Sequence, residues 1–122
     1  MLTPTRLHHL ALVACDPERV AAFYRDVLGL PERARHFEAN GALRSVWLDL
    51  GGAVLMIERS TVQAGGTGTG SFLIAVRVEA AERAAAERAL EAAGAPIESR
   101  TEHTSYARDP EGNRVAVSDY AL

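Results

Sequence analysis

Apolar positions along the chain follow two rhythms. Residues 7–14 and 72–78 are short runs rich in Leu, Val and Ile, the pattern of buried or half-buried strands. Between them, Val20, Phe23, Tyr24, Val27 and Leu28 recur at helical spacing. Asp16 followed by Pro17 supplies a helix N-cap and a proline at the first helical position, and Gly29 suits the left-handed residue that ends a helix. A second helix is predicted over residues 80–93, rich in alanine and closed by Gly94. Three strands should follow each helix. In the first half they span 33–39, 42–50 and 53–59, with Gly51-Gly52 turning the last pair. In the second half they span 97–102, 104–108 and 113–119, with Asp109-Pro110-Glu111-Gly112-Asn113 as the turn before the last.

The two halves repeat each other. At an offset of 64 residues Ala11 meets Ala75, Glu18-Arg19 meets Glu82-Arg83, and Ala21-Ala22 meets Ala85-Ala86. Identities among alanines carry little weight in an alanine-rich chain. The shared order of strand, helix, glycine and proline (Gly29 and Pro31, Gly94 and Pro96) carries more. Residues 63–70 hold four glycines and two threonines and read as a flexible linker. The expected organisation is α+β: one domain over 1–122 made of two βαβββ modules, 5–61 and 70–120.

Composition narrows the function. A chain of 122 residues suits one domain, and 48% hydrophobic with 24% charged residues is an ordinary globular balance. All 13 basic residues are arginines, scattered along a chain of net charge −3, so no basic stripe invites nucleic acid. Cys15 is the single cysteine, which excludes an internal disulfide and a thiolate zinc cluster. It reads as a small buried residue, with a reactive thiol as the lesser alternative. No apolar run approaches the length of a membrane span and the start lacks a signal-peptide pattern, so the expectation is a soluble cytoplasmic protein with no membrane partner.

Three stretches carry a family resemblance: HHLALVACDPERVAAFYRDVLGLP near the start, LMIE at the end of the fourth strand, and YARDPEGNRVAV near the end. With these the chain resembles the vicinal oxygen chelate superfamily, which includes glyoxalase I, bleomycin-resistance proteins, fosfomycin-resistance enzymes and extradiol dioxygenases. The resemblance implies that two modules form a curved eight-stranded cleft holding the site, and that the chain forms homodimers, in some relatives by exchanging modules. It also implies four metal-ligand positions. Carried over one by one, they fall on His9, Glu58, Leu73 and Ala116. Leucine and alanine offer no donor, so only a half-set, His9 and Glu58, remains for a divalent metal. The expectation is therefore no cofactor, with a divalent ion as the alternative. Asp119 lies three residues from Ala116 and should point to the opposite face, while Ser118 has the right parity but is a poor ligand.

Strand alternation then names the expected cleft floor. His9, Ala11 and Val13 come from the first strand, Ser45 and Trp47 from the third, and Val54, Met56 and Glu58 from the fourth. Leu73, Ala75 and Arg77 come from the fifth, and Arg114, Ala116 and Ser118 from the eighth. This is a mainly apolar surface with one aromatic and a few polar groups, the usual make-up of a small-molecule site. Trp47 could instead be a core residue, and Arg77 and Arg114 solvated rim residues; facing inward, the arginines would favour an anionic ligand. His8 reads as a packed or solvated histidine, and His36, Glu38, Glu102 and His103 read as solvated edge residues, with a swing into a dimeric site as the lesser alternative.

Two functions compete. One is a small-molecule-binding protein of the bleomycin-resistance kind, with His9, Trp47, Met56, Leu73, Arg77, Arg114 and Ala116 against the ligand, and with Glu58 and His9 bonding each other or the ligand. The other is an enzyme, a glyoxalase-type lyase, isomerase or dioxygenase, either metal-dependent or using Glu58 as general base. A pure interaction module is the third and weakest class.

Overall fold

The computed structural model describes residues 2–3, 6–60 and 72–122. The predicted linker 63–70 lies outside them. The chain divides into two compact units, Met1–Gln63 and Ala64–Leu122, each an α+β assembly of one four-stranded sheet and one helical segment.

In the first unit β1 (His9–Ala14) leads into α1 (Pro17–Ala22), then β2 (Glu32–Phe37), β3 (Leu43–Leu50) and β4 (Ala53–Arg59). The sheet order is β1-β4-β3-β2, with β1 parallel to β4 and the other pairs antiparallel. Asp16 caps α1 through its carboxylate, which accepts the Arg19 N–H at 3.1 Å. The helix does not stop where α-geometry ends. It continues as a π-helical turn over Phe23–Val27, with the Leu28 N–H bonding the Phe23 carbonyl at 3.3 Å. Gly29 at φ 77° then turns the chain, and the Leu30 N–H reaches back to the Tyr24 carbonyl at 3.0 Å.

α1 packs on β1, β3 and β4. Leu12 and Ala14 of β1, Val46 and Leu48 of β3, and Leu55 and Ile57 of β4 are buried together with Val20, Phe23 and Tyr24. Since side chains alternate along a strand, burying this set commits the intervening residues to the opposite face. An ion-pair cluster ties the helix to β2, where Arg35 contacts both Glu18 (2.9 Å) and Glu32 (2.7 Å).

The second unit repeats the plan. β5 (Ile74–Arg77) is followed by a 3₁₀ turn (Ala80–Glu82), α2 (Arg83–Ala92), β6 (Ser99–Arg100), β7 (Thr104–Arg108) and β8 (Arg114–Ser118), in the order β5-β8-β7-β6. Gly94 at φ 83° ends α2 in a Schellman motif, with Ala95 N–H bonding the Leu90 carbonyl and Gly94 N–H that of Glu91. β6 is two residues long where six were predicted: its ladder with β7 holds only Ser99 and Arg100, with the Glu98 N–H bonding the Tyr106 carbonyl and the Thr101 N–H that of Thr104 at its two ends. The β7–β8 turn is built around Asp109, which is 4% exposed. Its carboxylate accepts from the Glu111 and Asn113 backbone N–H groups and from the Asn113 side-chain amide, each at 2.9 Å.

A polar network lies on the α2 side of this sheet. Arg83 donates to the Ser105 hydroxyl, and Ser105, fully buried, donates to Glu87. Glu87 also accepts from Arg100 at 2.8 Å. Hydrogen bonds from Arg100 and then Ser105 hold the Glu87 carboxyl down at about 2, well below its ordinary value.

Candidate functional site

The face of the first sheet turned away from α1 carries most of the candidate residues, and the strand register sorts them into rows. His9 on β1 stands beside Val54, which pairs with Asp49. Ala11 stands beside Met56, Met56 beside Trp47, and Trp47 beside Ala34. Val13 stands beside Glu58, Glu58 beside Ser45, and Ser45 beside His36. His9, Ala11 and Val13 are exposed along the edge strand, while Val54, Met56, Glu58, Trp47 and His36 are half-buried and Ser45 is buried.

This register corrects the expected pairing of His9 with Glu58. Both project from the same face, but they are four residue steps apart on neighbouring parallel strands, about 13 Å along the sheet. They neither bond each other nor share an ion, since a first-row metal holds its ligands at about 2 Å. His9 finds another partner: its Nδ1 lies 2.7 Å from Nδ1 of His8, so one ring must donate to the other.

His36, expected to be a solvated edge residue with a swing into a dimeric site as the alternative, is instead half-buried. Its ring lies against Trp47, with centroids 4.6 Å apart and planes tilted by 60°. Both His36 Nε2 and Trp47 Nε1 are buried atoms without a hydrogen-bond partner among the described residues. Trp47 is thus neither a plain core residue nor an open one.

In the second unit Leu73 precedes β5 and is 39% exposed, while Ala116 on β8 is fully buried between Ala75 and Tyr106. Neither side chain can bind a metal, whatever its surroundings. Arg77 is exposed and pairs with Glu79 at 3.7 Å. It borders a groove of about 250 Å³ with Ala75, Val76, Ser118, Tyr120 and Leu122. Arg114 stacks its guanidinium 4.4 Å over the Tyr106 ring. Ser118 shares a hydrogen bond with Thr104 at 2.9 Å. Asp119 belongs with the α2-side network, bonding His103 at 2.7 Å and approaching Arg83 at 3.7 Å. Of the remaining polar candidates, Glu102 is exposed and Cys15 is half-buried.

The donor set does not fit the metal centre that the resemblance implies. Two of its four positions carry no donor atom, and the other two are held apart by the register. Among the described residues, no three His, Cys, Asp or Glu side chains converge as a metal site would require.

Two four-stranded βαβββ sheets built on an internal repeat define the class of fold. The chain belongs to the Glyoxalase/Bleomycin resistance protein/Dioxygenase superfamily, whose family model matches residues 6–117. Among solved structures it is similar to a lactoylglutathione lyase from Agrobacterium tumefaciens, at 25% identity and a TM-score of 0.68, over 94% of this chain and 93% of that one. It also resembles a mutant fosfomycin resistance protein, FosX, from Listeria monocytogenes, complexed with Mn(II) and 1S,2S-dihydroxypropylphosphonic acid. That likeness has 17% identity and a TM-score of 0.81, over 98% of this chain and 96% of that one. FosX from Mesorhizobium loti matches at 15% identity and a TM-score of 0.79, over 98% and 95% of the two chains. At such identities the FosX likeness concerns the fold alone. No curated protein matches the chain. Among the described residues, no helix is long and apolar enough to cross a membrane.

Proposed function

We propose that the chain binds a small, anionic or aromatic molecule on the strand face carrying Trp47, Met56 and Glu58, without a tightly held divalent metal. The observation that supports this most is the make-up of that face. Ala11, Met56, Trp47 and Ala34 form one apolar row, bordered by a row bearing Glu58, Ser45 and His36. An apolar floor with a few polar groups at its margin is what small-molecule sites use for affinity and orientation. The homodimer and the cytoplasmic setting belong to the same proposal.

Elemental analysis of purified protein and a thermal-shift screen of small carboxylates and phenols test the reading. The expected result is substoichiometric metal together with a compound that raises the melting temperature. A stoichiometric divalent ion surviving dialysis, or a screen with no stabilising compound, overturns it.

The position of Glu58 beside Ser45 on the same face supports a second reading, in which the carboxylate takes a proton from the bound molecule. Glu58→Gln separates the two. Loss of turnover of a compound found in the screen, at unchanged affinity, supports catalysis. Weakened binding of about tenfold with no turnover in either protein supports binding alone.

A further inference from the structure

The two orphaned nitrogens on the first sheet point to a specific anchor. A buried polar atom without a partner costs free energy comparable to a lost hydrogen bond, and folded proteins keep few of them. Here two, without a partner among the described residues, stand in adjoining rings: Nε2 of His36 and Nε1 of Trp47, with centroids 4.6 Å apart. The indole N–H can only donate. The imidazole Nε2 donates beside it whenever it carries the proton. Their common complement is an oxygen acceptor.

The surroundings limit what can carry that oxygen. Trp47 stands in the row with Ala34 on one side and Met56, then Ala11, on the other. Two methyl groups and a thioether leave a flat apolar surface beside the indole, suited to a planar body. Glu58 lies in the row of His36 but two strands away, about 10 Å across the sheet. A negative ligand group is therefore favoured at the His36 end and opposed at the Glu58 end.

We propose that His36 and Trp47 form a two-donor anchor for the carboxylate or carbonyl oxygen of a flat, aromatic small molecule. The anchor rests on the reading that this face binds a small molecule. It moves the orienting chemistry from His9 on β1 to the β2–β3 side of the sheet.

Trp47 is the single tryptophan, so its emission reports the site directly. The experiment titrates the full-length protein with benzoate and with benzylammonium, which share a ring and differ in offering an acceptor or only donors. Benzoate is expected to shift Trp47 emission saturably and to bind at least about tenfold more tightly than benzylammonium. His36→Phe keeps a ring and removes the nitrogens. It is expected to weaken benzoate about tenfold and leave benzylammonium unchanged. Its melting temperature should be unchanged or higher, since an unpartnered polar atom is replaced by carbon. Trp47→Phe, followed by calorimetry, should show the same loss.

Equal affinity for the two probes, or benzoate binding undiminished in both variants, overturns the anchor. So does a fall in melting temperature of more than about 5 °C in His36→Phe, which would mean that the nitrogen serves the fold. A compound from the thermal-shift screen that binds equally to wild type and His36→Phe removes the anchor and leaves small-molecule binding standing. An empty screen removes small-molecule binding itself.

Discussion

Replacing Asp109 with alanine strips the β7–β8 turn of the carboxylate around which it is wound. Three donors lose their acceptor: the N–H groups of Glu111 and Asn113 and the Asn113 side-chain amide. They do not count equally. Glu111 is half-exposed and its N–H can turn to water, whereas Asn113 is 7% exposed and both of its donors stay inside. A hydrogen bond to a charged group contributes about 1.5 kcal/mol or more, so two stranded donors give a loss of about 3 kcal/mol. The backbone bonds across the turn, Asp109 N–H to Asn113 and Gly112 N–H to Asp109, survive the substitution and limit the damage to that range. Urea unfolding followed by circular dichroism measures it. With a slope of about 1.5 kcal/mol per molar urea, the midpoint should fall by about 2 M at unchanged slope. Asp109→Asn keeps the oxygen that serves the two backbone amides but sets an amide against the Asn113 amide, and should lose about 1 kcal/mol. If Asp109→Ala shifts the midpoint by less than about 0.5 M, the carboxylate is an ordinary surface-turn residue and the reasoning fails.

Glu87 makes a prediction in pH. Its folded-state carboxyl is held at about 2 against an ordinary 4.5, so its stabilisation is fully present above pH 4.5 and drains away as pH falls from there toward 2. Because its partner Arg100 is half-exposed, the contribution is about 2 kcal/mol or less; Glu87→Gln should lower stability at pH 7 by that amount and flatten the acid limb, as acid titration of unfolding will show. Gly94→Ala meets no neighbour within 4 Å, so its cost comes from the backbone at φ 83° alone. It should amount to about 1 kcal/mol in thermal unfolding, with no change in ligand binding.

Much of the fold was legible because its signals are local. Asp16-Pro17, Gly29, Gly94 and the Asp109–Asn113 turn each act within a few residues, and the structure uses them at the positions the pattern names. The π-helical turn after α1 was not legible, since one extra residue in a helix leaves the apolar spacing nearly intact. The strand alternation placed His9, Trp47 and Glu58 on one face, because parity is set by which residues must be buried under α1. Parity says nothing of how far one strand slides along another. Only the β1–β4 register decides that Val54, and not Glu58, stands beside His9. The His36–Trp47 contact was hidden for a similar reason: it depends on an antiparallel register with irregularities on both sides of the contact, after Glu32 and after His36. Arg83 and Ser105 gave no motif at all. Their roles arise when α2 is laid against β7.

The parallel pairing of β1 with β4 also sets the order in which the first unit can assemble. β2, β3 and β4 follow one another and pair through short turns, so that meander can form from local encounters. His9 and Val54 are 45 residues apart in sequence, and β1 has nowhere to dock until β4 exists. β1 is therefore the last strand to join and, as an edge strand, the first to open. Its amide protons should exchange with solvent ahead of those of β3, which is paired with β2 on one side and β4 on the other.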